Sequence, residues 1–265
     1  MGDGTAIEWT DATWNPVTGC TKVSPGCKFC YAERLTERFG LYDFTDVRLH
    51  PERLELPLRW RAPRRVFVNS MSDLFHERIP DPFIERVFDV MARASQHIFQ
   101  VLTKRADRLL SWSRHRREPI PAHIWIGVSV ESSKYLWRVD RLRQVPARIR
   151  FISAEPLLGP LTGLDLAGVA WVITGGESGG PGDRALVRFS DGALRPKPEA
   201  LAWVREVRDN CLAAGVAFFH KQWGGPRPTS GGRKLDGRQW SEYPGQALSD
   251  AQASDAPRVR HGSAR

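Results

Sequence analysis

The sequence predicts an α/β fold, namely a partial or complete parallel (β/α) barrel of six or seven strands with a disordered C-terminal tail. Short apolar runs alternate with amphipathic helical patterns, and polar residues follow each apolar run. This alternation is typical of parallel strands joined by helical crossovers. The runs are almost continuously apolar, as a sheet covered on both faces requires. A doubly wound open sheet is the alternative, because periodicity alone does not separate the two architectures.

Six apolar runs are predicted as strands. They cover residues 65–69, 98–103, 124–130, 149–154, 170–174 and 216–220. Helical patterns cover residues 28–39, 82–94, the stretch from Lys104 to about Arg116, the stretch from Glu131 to about Gln144, and residues 198–215. Loops are expected after 149–154 and after 170–174. Residues 5–18 are too rich in turn formers for a long helix, and we expect them to lay Trp9 and Trp14 against the body.

The predicted domain organisation is one barrel domain over residues 1–224, including the N-terminal segment, followed by a tail over 225–265. The tail is rich in Gly, Pro and Arg, and we expect it to be largely disordered, above all over 246–265. No window holds eighteen consecutive apolar residues, so no membrane span is expected. The N-terminus lacks the pattern of a secretory signal.

The composition favours a cytoplasmic protein with a polyanionic partner. Three of the four cysteines are clustered, which fits metal binding in a reducing compartment better than a disulfide framework. The formal net charge of +9 points to a nucleic acid or phosphate partner. The alternative is an arginine-rich solvated surface, and part of the excess charge lies in the tail.

The stretch G-C-T-K-V-S-P-G-C-K-F-C-Y (19–31) predicts a metal centre. It holds Cys20, Cys27 and Cys30 in the spacing C-x6-C-x2-C, with Ser24-Pro25-Gly26 as loop formers. A cubane iron–sulfur cluster normally takes four thiolates, so three leave one iron open. An open coordination position is typical of a reactive site rather than a structural one. Cys30 is expected near a helix start, where the helix dipole favours thiolate.

Polar residues that end the apolar runs are expected to meet at one mouth, because active sites of parallel α/β folds lie at the carboxyl ends of the strands. These residues are Asn69, Ser70, Ser72, Asp73, Thr103, Lys104, Ser129, Glu131, Ser153, Glu155, Gly175, Gly176, Glu177, Lys221 and Gln222. Helix capping is the alternative role for Ser72, Asp73, Ser129 and Ser153.

Candidate catalytic residues within this set are Glu155, Lys104 and Lys221. Glu155 stands before a proline at a strand end, where capping explains it poorly. Cys211 lies in a helical pattern and is expected to be a buried apolar residue. His50 and His76 remain candidate fourth ligands of a zinc site.

The cysteine motif resembles that of the radical S-adenosylmethionine enzymes. Cys27-Lys28-Phe29-Cys30 reproduces the second half of their C-x3-C-x2-C signature, whereas Cys20 lies six residues upstream rather than three. Residues 7–224 also resemble an uncharacterised phage-protein family placed near that superfamily. The strings that carry this likeness are I-E-W-T-D-A-T-W-N-P-V-T-G-C, F-V-N-S-M-S-D-L-F, V-L-T-K-R, G-V-S-V-E, R-F-I-S-A-E-P-L-L-G-P, G-G-E-S-G and K-Q-W-G.

The resemblance implies a barrel of the radical-SAM type and a [4Fe-4S] cluster held by the three cysteines. S-adenosyl-L-methionine would chelate the open iron, and its one-electron cleavage would release a 5′-deoxyadenosyl radical. By strand order, Ser70, Ser72 and Asp73 would meet the methionine end, Ser129 and Glu131 the ribose hydroxyls, and Gly175, Gly176 and Glu177 the adenine or the methionine backbone. The superfamily's usual G-G-E after the second strand is replaced by S-M-S-D.

The resemblance leaves the substrate open, and DNA, RNA or a nucleotide is the expectation from the charge and the phage likeness. An external electron donor such as flavodoxin or ferredoxin is also implied. Two other readings stay open at this point. One is a nucleic-acid-binding protein with a structural Cys3His zinc site. The other is a non-catalytic barrel that retains a cluster.

Overall fold

The computed structural model describes residues 5–179, 184–227 and 229–245. Its strands are β1 (Ala12–Trp14), β2 (Val17–Thr18), β3 (Arg48–Leu49), β4 (Arg65–Val68), β5 (Ile98–Thr103), β6 (Ile124–Ser129), β7 (Arg150–Ala154), β8 (Trp171–Gly175), β9 (Val187–Ser190), β10 (Ala193–Pro196), β11 (Ala217–Gln222), β12 (Lys234–Leu235) and β13 (Arg238–Gln239). Its α-helices are α1 (Tyr31–Arg38), α2 (Asp81–Arg93), α3 (Ala106–His115), α4 (Trp137–Arg143) and α5 (Pro198–Ala214).

Seven strands form one parallel sheet in the order β1-β4-β5-β6-β7-β8-β11. The order follows the chain and never reverses, so the doubly wound alternative is wrong, because such a sheet has a point where the strand order turns back. The sheet curves into a half-barrel, which confirms the predicted α/β architecture in its partial form.

The apolar runs predict six strands of this sheet, and β1 is the seventh. It lies within the N-terminal segment 5–18 and pairs with β4, placing Ala12 opposite Val66 and Trp14 opposite Val68. Three residues are too few to show a period, and the turn formers around them hide the strand. The expectation that this segment lays aromatic side chains on the body is confirmed, because Trp9 and Trp14 are both buried.

The helices cover the convex face of the sheet. Helix α5 shows the pattern behind this packing, because its buried residues Ala200, Val204, Val207 and Cys211 recur at helical spacing. Cys211 is fully buried, as predicted. Gly215 has φ of 65° and ends the helix in the left-handed conformation that glycine adopts without strain.

The concave face is filled by aromatic side chains. Phe67, Trp125, Phe151, Trp171 and Phe219 form a second core there, joined by Trp9 from the N-terminal segment. Trp125 and Trp171 are both buried within this core. The Phe151 ring lies on Gly127, where a β-carbon would come within 2.5 Å of ring carbons. The floor of the half-barrel is therefore packed with aromatic side chains.

The long loop expected after β8 contains the antiparallel hairpin β9–β10 within its described part. The loop expected after β7 is confirmed, since no helix occurs among residues 155–170. No helix in the described chain is long and apolar enough to cross a membrane.

The described part of the expected tail packs against the barrel. Strands β12 and β13 pair with each other, and Leu235 and Trp240 are buried in the main core. The packed chain thus continues past residue 224, which the sequence marks as the end of the domain. Residues 246–265, where disorder is expected, lie outside the described residues.

Candidate functional site

The predicted mouth exists, because parallel strands bring their carboxyl ends to one edge of the sheet. The cysteine loop (residues 19–30) lies across this edge. Its first residue, Gly19, forms a bridge to Ser72 after β4, and the Gly19 amide donates to Met71 O at 3.1 Å. Cys27 closes a short 3-10 turn, and Cys30 directly precedes α1, as the sequence predicts.

Arg105, at the end of β5, holds the first part of the cysteine loop. Its Nη1 lies 3.6 Å from Cys20 Sγ, and its Nη2 donates to Thr21 O at 3.1 Å. Asp73 orients this guanidinium through an Nη1–Oδ2 contact of 3.3 Å, and both side chains are only 8% exposed. The Arg105–Asp73 pair therefore joins Cys20 to the ends of β4 and β5.

The carboxylate of Asp73 is fully used by the chain itself. Besides Arg105, it accepts hydrogen bonds from the hydroxyl of Thr103 at 2.7 Å and from the amides of Lys104 at 3.1 Å and Phe75 at 3.0 Å. Asp73, expected at the methionine end of a cofactor, thus positions the cysteine loop in this structure.

Glu131, at the end of β6, holds the middle of the cysteine loop. Ser24 donates to Glu131 Oε1, and Gly26 packs so closely that a β-carbon would lie 2.4 Å from the same oxygen. Arg138 pairs with Oε2 at 2.9 Å, and neither side chain is more than 2% exposed. Arg138 also donates to Ser129 O at 2.9 Å. Glu131 therefore links the loop to β6 and α4.

Glu177, after β8, holds the loop from the opposite side. Arg184 makes a bidentate pair with its carboxylate at 2.9 and 2.7 Å and donates to Pro25 O at 2.9 Å. The same guanidinium lies 5.1 Å from the centre of the Phe29 ring. Three buried or half-buried ion pairs thus fix the loop across the mouth.

Glu155 and Lys221 face each other at the ends of β7 and β11. Lys221 Nζ lies 3.1 Å from Glu155 Oε1. Oε2 accepts from Trp9 Nε1 at 3.2 Å and from Ser153 Oγ at 3.3 Å. The two side chains remain 14% and 21% exposed, so this pair is reachable from the mouth. Nearby Glu8 has a raised pKa, because burial outweighs the attraction of Lys221.

Lys104 and Ser129 form a second polar pair at the mouth, with Lys104 Nζ 3.2 Å from Ser129 Oγ. No described carboxylate forms an ion pair with Lys104. Ser70 and Ser72 bond within the chain, Ser70 Oγ to Asn15 Oδ1 at 3.2 Å and Ser72 Oγ to Val17 O at 3.0 Å. The structure therefore brings the three candidate catalytic side chains to one edge, and gives the two serines a local partner.

Gly175 and Gly176 approach protein groups closely rather than leaving room for a ligand. A β-carbon on Gly175 would lie 2.5 Å from Glu155 Oε1, and one on Gly176 would lie 2.2 Å from Trp223 O. The absence of side chains here lets Glu155 and the chain after β11 pack against β8.

One family model matches most of the chain. The chain belongs to the DUF5131 family. The family is described as "Protein of unknown function (DUF5131)", and the match covers residues 4–244. No curated protein and no solved structure matches the chain.

The predicted cluster of this DUF5131 chain depends on three cysteine donors. No group of three or more His, Cys, Asp or Glu is arranged to hold one metal ion in the part of the chain that the structure describes. A cubane binds each thiolate through a different iron, so its cysteines do not share one coordination shell. Cys20, Cys27 and Cys30 are partly exposed on one loop, and all three are free.

The two histidines proposed as zinc ligands make other hydrogen bonds. His76 Nε2 lies 2.9 Å from Thr21 Oγ1, and its Nδ1 accepts from the Arg78 amide at 3.1 Å. His50 Nε2 lies 2.8 Å from Thr18 Oγ1, and its Nδ1 lies 3.2 Å from Glu52 Oε1. Both nitrogens of each imidazole ring therefore contact groups other than the cysteines.

The Cys20 thiol is protonated in the metal-free protein. Burial, helped by the Asp73 carboxylate and opposed by the Arg105 guanidinium, raises the pKa of this thiol to about 12. Metal binding would displace this proton, since thiolate is the binding form.

The arginines Arg105, Arg138 and Arg184 are the site residues that sequence reasoning missed. Arg105 is the second residue after β5 and is the last residue of the string V-L-T-K-R, so its position at a strand end could have marked it as a site residue. Arg138 lies within a helix and Arg184 within a long loop, where nothing in the local pattern distinguishes them from surface arginines.

We expect Glu131→Gln to destabilise the protein by about 3 to 5 kcal/mol, because it leaves the buried Arg138 charge without a counterion. Urea unfolding followed by circular dichroism measures this. Asp107→Asn is the matched control. It breaks the exposed Asp107–Arg141 pair, whose side chains are 68% and 44% exposed, and should cost less than about 1 kcal/mol. Equal losses in the two variants would show that Glu131 does not anchor the loop.

Proposed function

We propose that this protein is a radical S-adenosylmethionine enzyme that binds one [4Fe-4S] cluster through Cys20, Cys27 and Cys30. The observation that carries the proposal is the position of these cysteines on one loop across the carboxyl edge of a parallel half-barrel. The remaining cysteine, Cys211, is fully buried in α5 and leaves the set at three. Three thiolates on a cubane leave one iron open.

The seven-stranded half-barrel is consistent with the radical-SAM type of fold, which we propose for this domain. The strand order follows the chain, and the packed aromatic floor directs ligands toward the strand ends. When bound, the cluster and S-adenosyl-L-methionine would supply a 5′-deoxyadenosyl radical, and the protein would supply position and exclusion of water.

The residues of this chain divide into two tasks under this proposal. Arg105, Glu131 and Arg184 hold the cysteine loop against the strand ends. Lys104 and Lys221 present ammonium groups to the mouth, where they would bind the carboxylate or phosphate oxygens of a ligand. Glu155 accepts hydrogen bonds there and would orient a ligand hydroxyl or amino group.

The proposed substrate is DNA, RNA or a nucleotide, and the proposed setting is the cytoplasm. The net charge of +9 supports a polyanionic substrate. Reduction of the cluster requires an external donor, for which a flavodoxin or ferredoxin is suited.

We expect the anaerobically reconstituted protein to be brown and to hold about four irons and four sulfides per chain. With a reductant and S-adenosyl-L-methionine it should form 5′-deoxyadenosine, detected by chromatography. Cys27→Ala should lose both iron and product, because it removes one of three ligands. Cys211→Ala should keep both, because Cys211 lies in the helix core. Absence of bound iron and sulfide, or stoichiometric zinc in their place, would contradict the proposal.

We also expect Arg105→Lys to make the reduction potential of the cluster more negative. Hydrogen bonds to the sulfurs help set that potential, and lysine does not reproduce the fork that reaches Cys20 and Thr21 together. A redox titration followed by absorbance measures the shift, with iron content determined in parallel. Arg108→Lys is the control, since Arg108 bonds Asp81 instead. Identical potentials in all three proteins would remove Arg105 from this role.

A further inference from the structure

A groove of about 350 Å³ lies beside the cysteine loop, between the start of α3 and the turn that precedes α4. Its size falls within the range of small-ligand sites. Its lining includes Val23 of the cysteine loop, Lys104 after β5, and Tyr135, Trp137 and Arg138 after β6.

The groove presents one aromatic side chain, Trp137, that belongs to neither hydrophobic cluster. Trp137 is 40% exposed, and Val23, which also lines the groove, is 45% exposed. The Arg138 guanidinium lies 4.4 Å from the centre of the Tyr135 ring and 5.7 Å from that of Trp137. Its ion pair with Glu131 fixes this stack. A rigid, exposed aromatic face beside a cation suits a planar base.

The charge of the groove is positive where a phosphate would lie. The two carboxylates at its rim are compensated, since Glu77 pairs with Arg105 at 3.2 Å and Asp107 pairs with Arg141 at 2.7 Å. Lys104 has no carboxylate partner among the described residues. Its Nζ reaches Ser129 Oγ at the mouth, so the groove and the mouth share this side chain.

We propose that this groove binds one nucleotide of a single-stranded nucleic acid, with the base stacked on Trp137 and a phosphate on Lys104. Because Val23 and Lys104 also border the mouth, a strand held here continues toward the cysteine loop. The binding itself does not depend on a cluster, whereas its role as substrate binding rests on the proposed function. An exposed aromatic face next to a cation selects a strand with unpaired bases over a duplex.

Fluorescence anisotropy with short labelled single-stranded DNA and RNA tests the proposal, with unlabelled duplex as competitor. Trp137→Ala should weaken binding by about 5- to 150-fold, the equivalent of one stacked base. Trp137→Phe should restore most of the affinity. Phe189→Ala is the matched control, because Phe189 is 73% exposed on the β9–β10 hairpin, and it should bind as the unchanged protein does.

Lys104→Gln gives a second readout that does not depend on the aromatic ring. The slope of log affinity against log salt should fall by about 1, because one phosphate contact is lost. Unchanged affinity in Trp137→Ala together with an unchanged salt slope in Lys104→Gln would overturn the proposal. Stronger binding of duplex, or no binding of any oligonucleotide, would also overturn it.

Iron content and 5′-deoxyadenosine formation, measured on the same preparations, separate the two proposals. Oligonucleotide binding that depends on Trp137 in a protein without a cluster would reject the radical function and keep the groove. A protein that holds the cluster and cleaves the cofactor, but whose oligonucleotide affinity is unchanged in Trp137→Ala, would reject the groove and keep the radical function.

Discussion

Buried arginine–carboxylate pairs hold the cysteine loop across the half-barrel, and the arrangement of the mouth depends on them. Arg105 with Asp73, Arg138 with Glu131, and Arg184 with Glu177 connect the loop to four different strand ends. Breaking a buried pair costs far more than breaking an exposed one, because the remaining charge stays desolvated. The cysteine loop, twelve residues rich in turn formers with one short 3-10 turn, therefore acquires a single position.

The pairs also explain why some of the residues expected to bind a ligand hold the cysteine loop instead, whereas others stay accessible. Asp73, Glu131 and Glu177 each pair with an arginine, and one member of each pair contacts the loop, namely Arg105, Glu131 and Arg184. Lys104, Glu155 and Lys221 instead stay accessible at the mouth. Charged side chains that are buried in ion pairs fix the position of the loop. Charged side chains that still contact solvent are available to bind a ligand. The mouth thus combines a rigid rim with a small number of reachable polar atoms.

Much of this architecture could be predicted from the sequence, because apolar runs and helical spacing report on burial. The strands of the seven-stranded sheet after residue 64 and the helices that pack on them follow that pattern closely. Strand β1 escaped it because three residues show no period, and the packing of Leu235 and Trp240 escaped it because a Gly- and Pro-rich composition masks a short hairpin. Arg138 and Arg184 escaped it because each pairs with a carboxylate seven residues earlier, Glu131 and Glu177, and no single helix or strand contains both members of either pair.

The central claim is that three thiolates at this edge leave one iron open to S-adenosyl-L-methionine. The electron paramagnetic resonance spectrum of the reduced, iron-reconstituted protein tests this most directly, recorded before and after addition of that cofactor. We expect a cluster signal that changes shape on addition, because the cofactor's amino and carboxylate groups would enter the coordination sphere of the open iron. A cluster signal that stays the same at saturating cofactor, or no cluster signal at all, would contradict it.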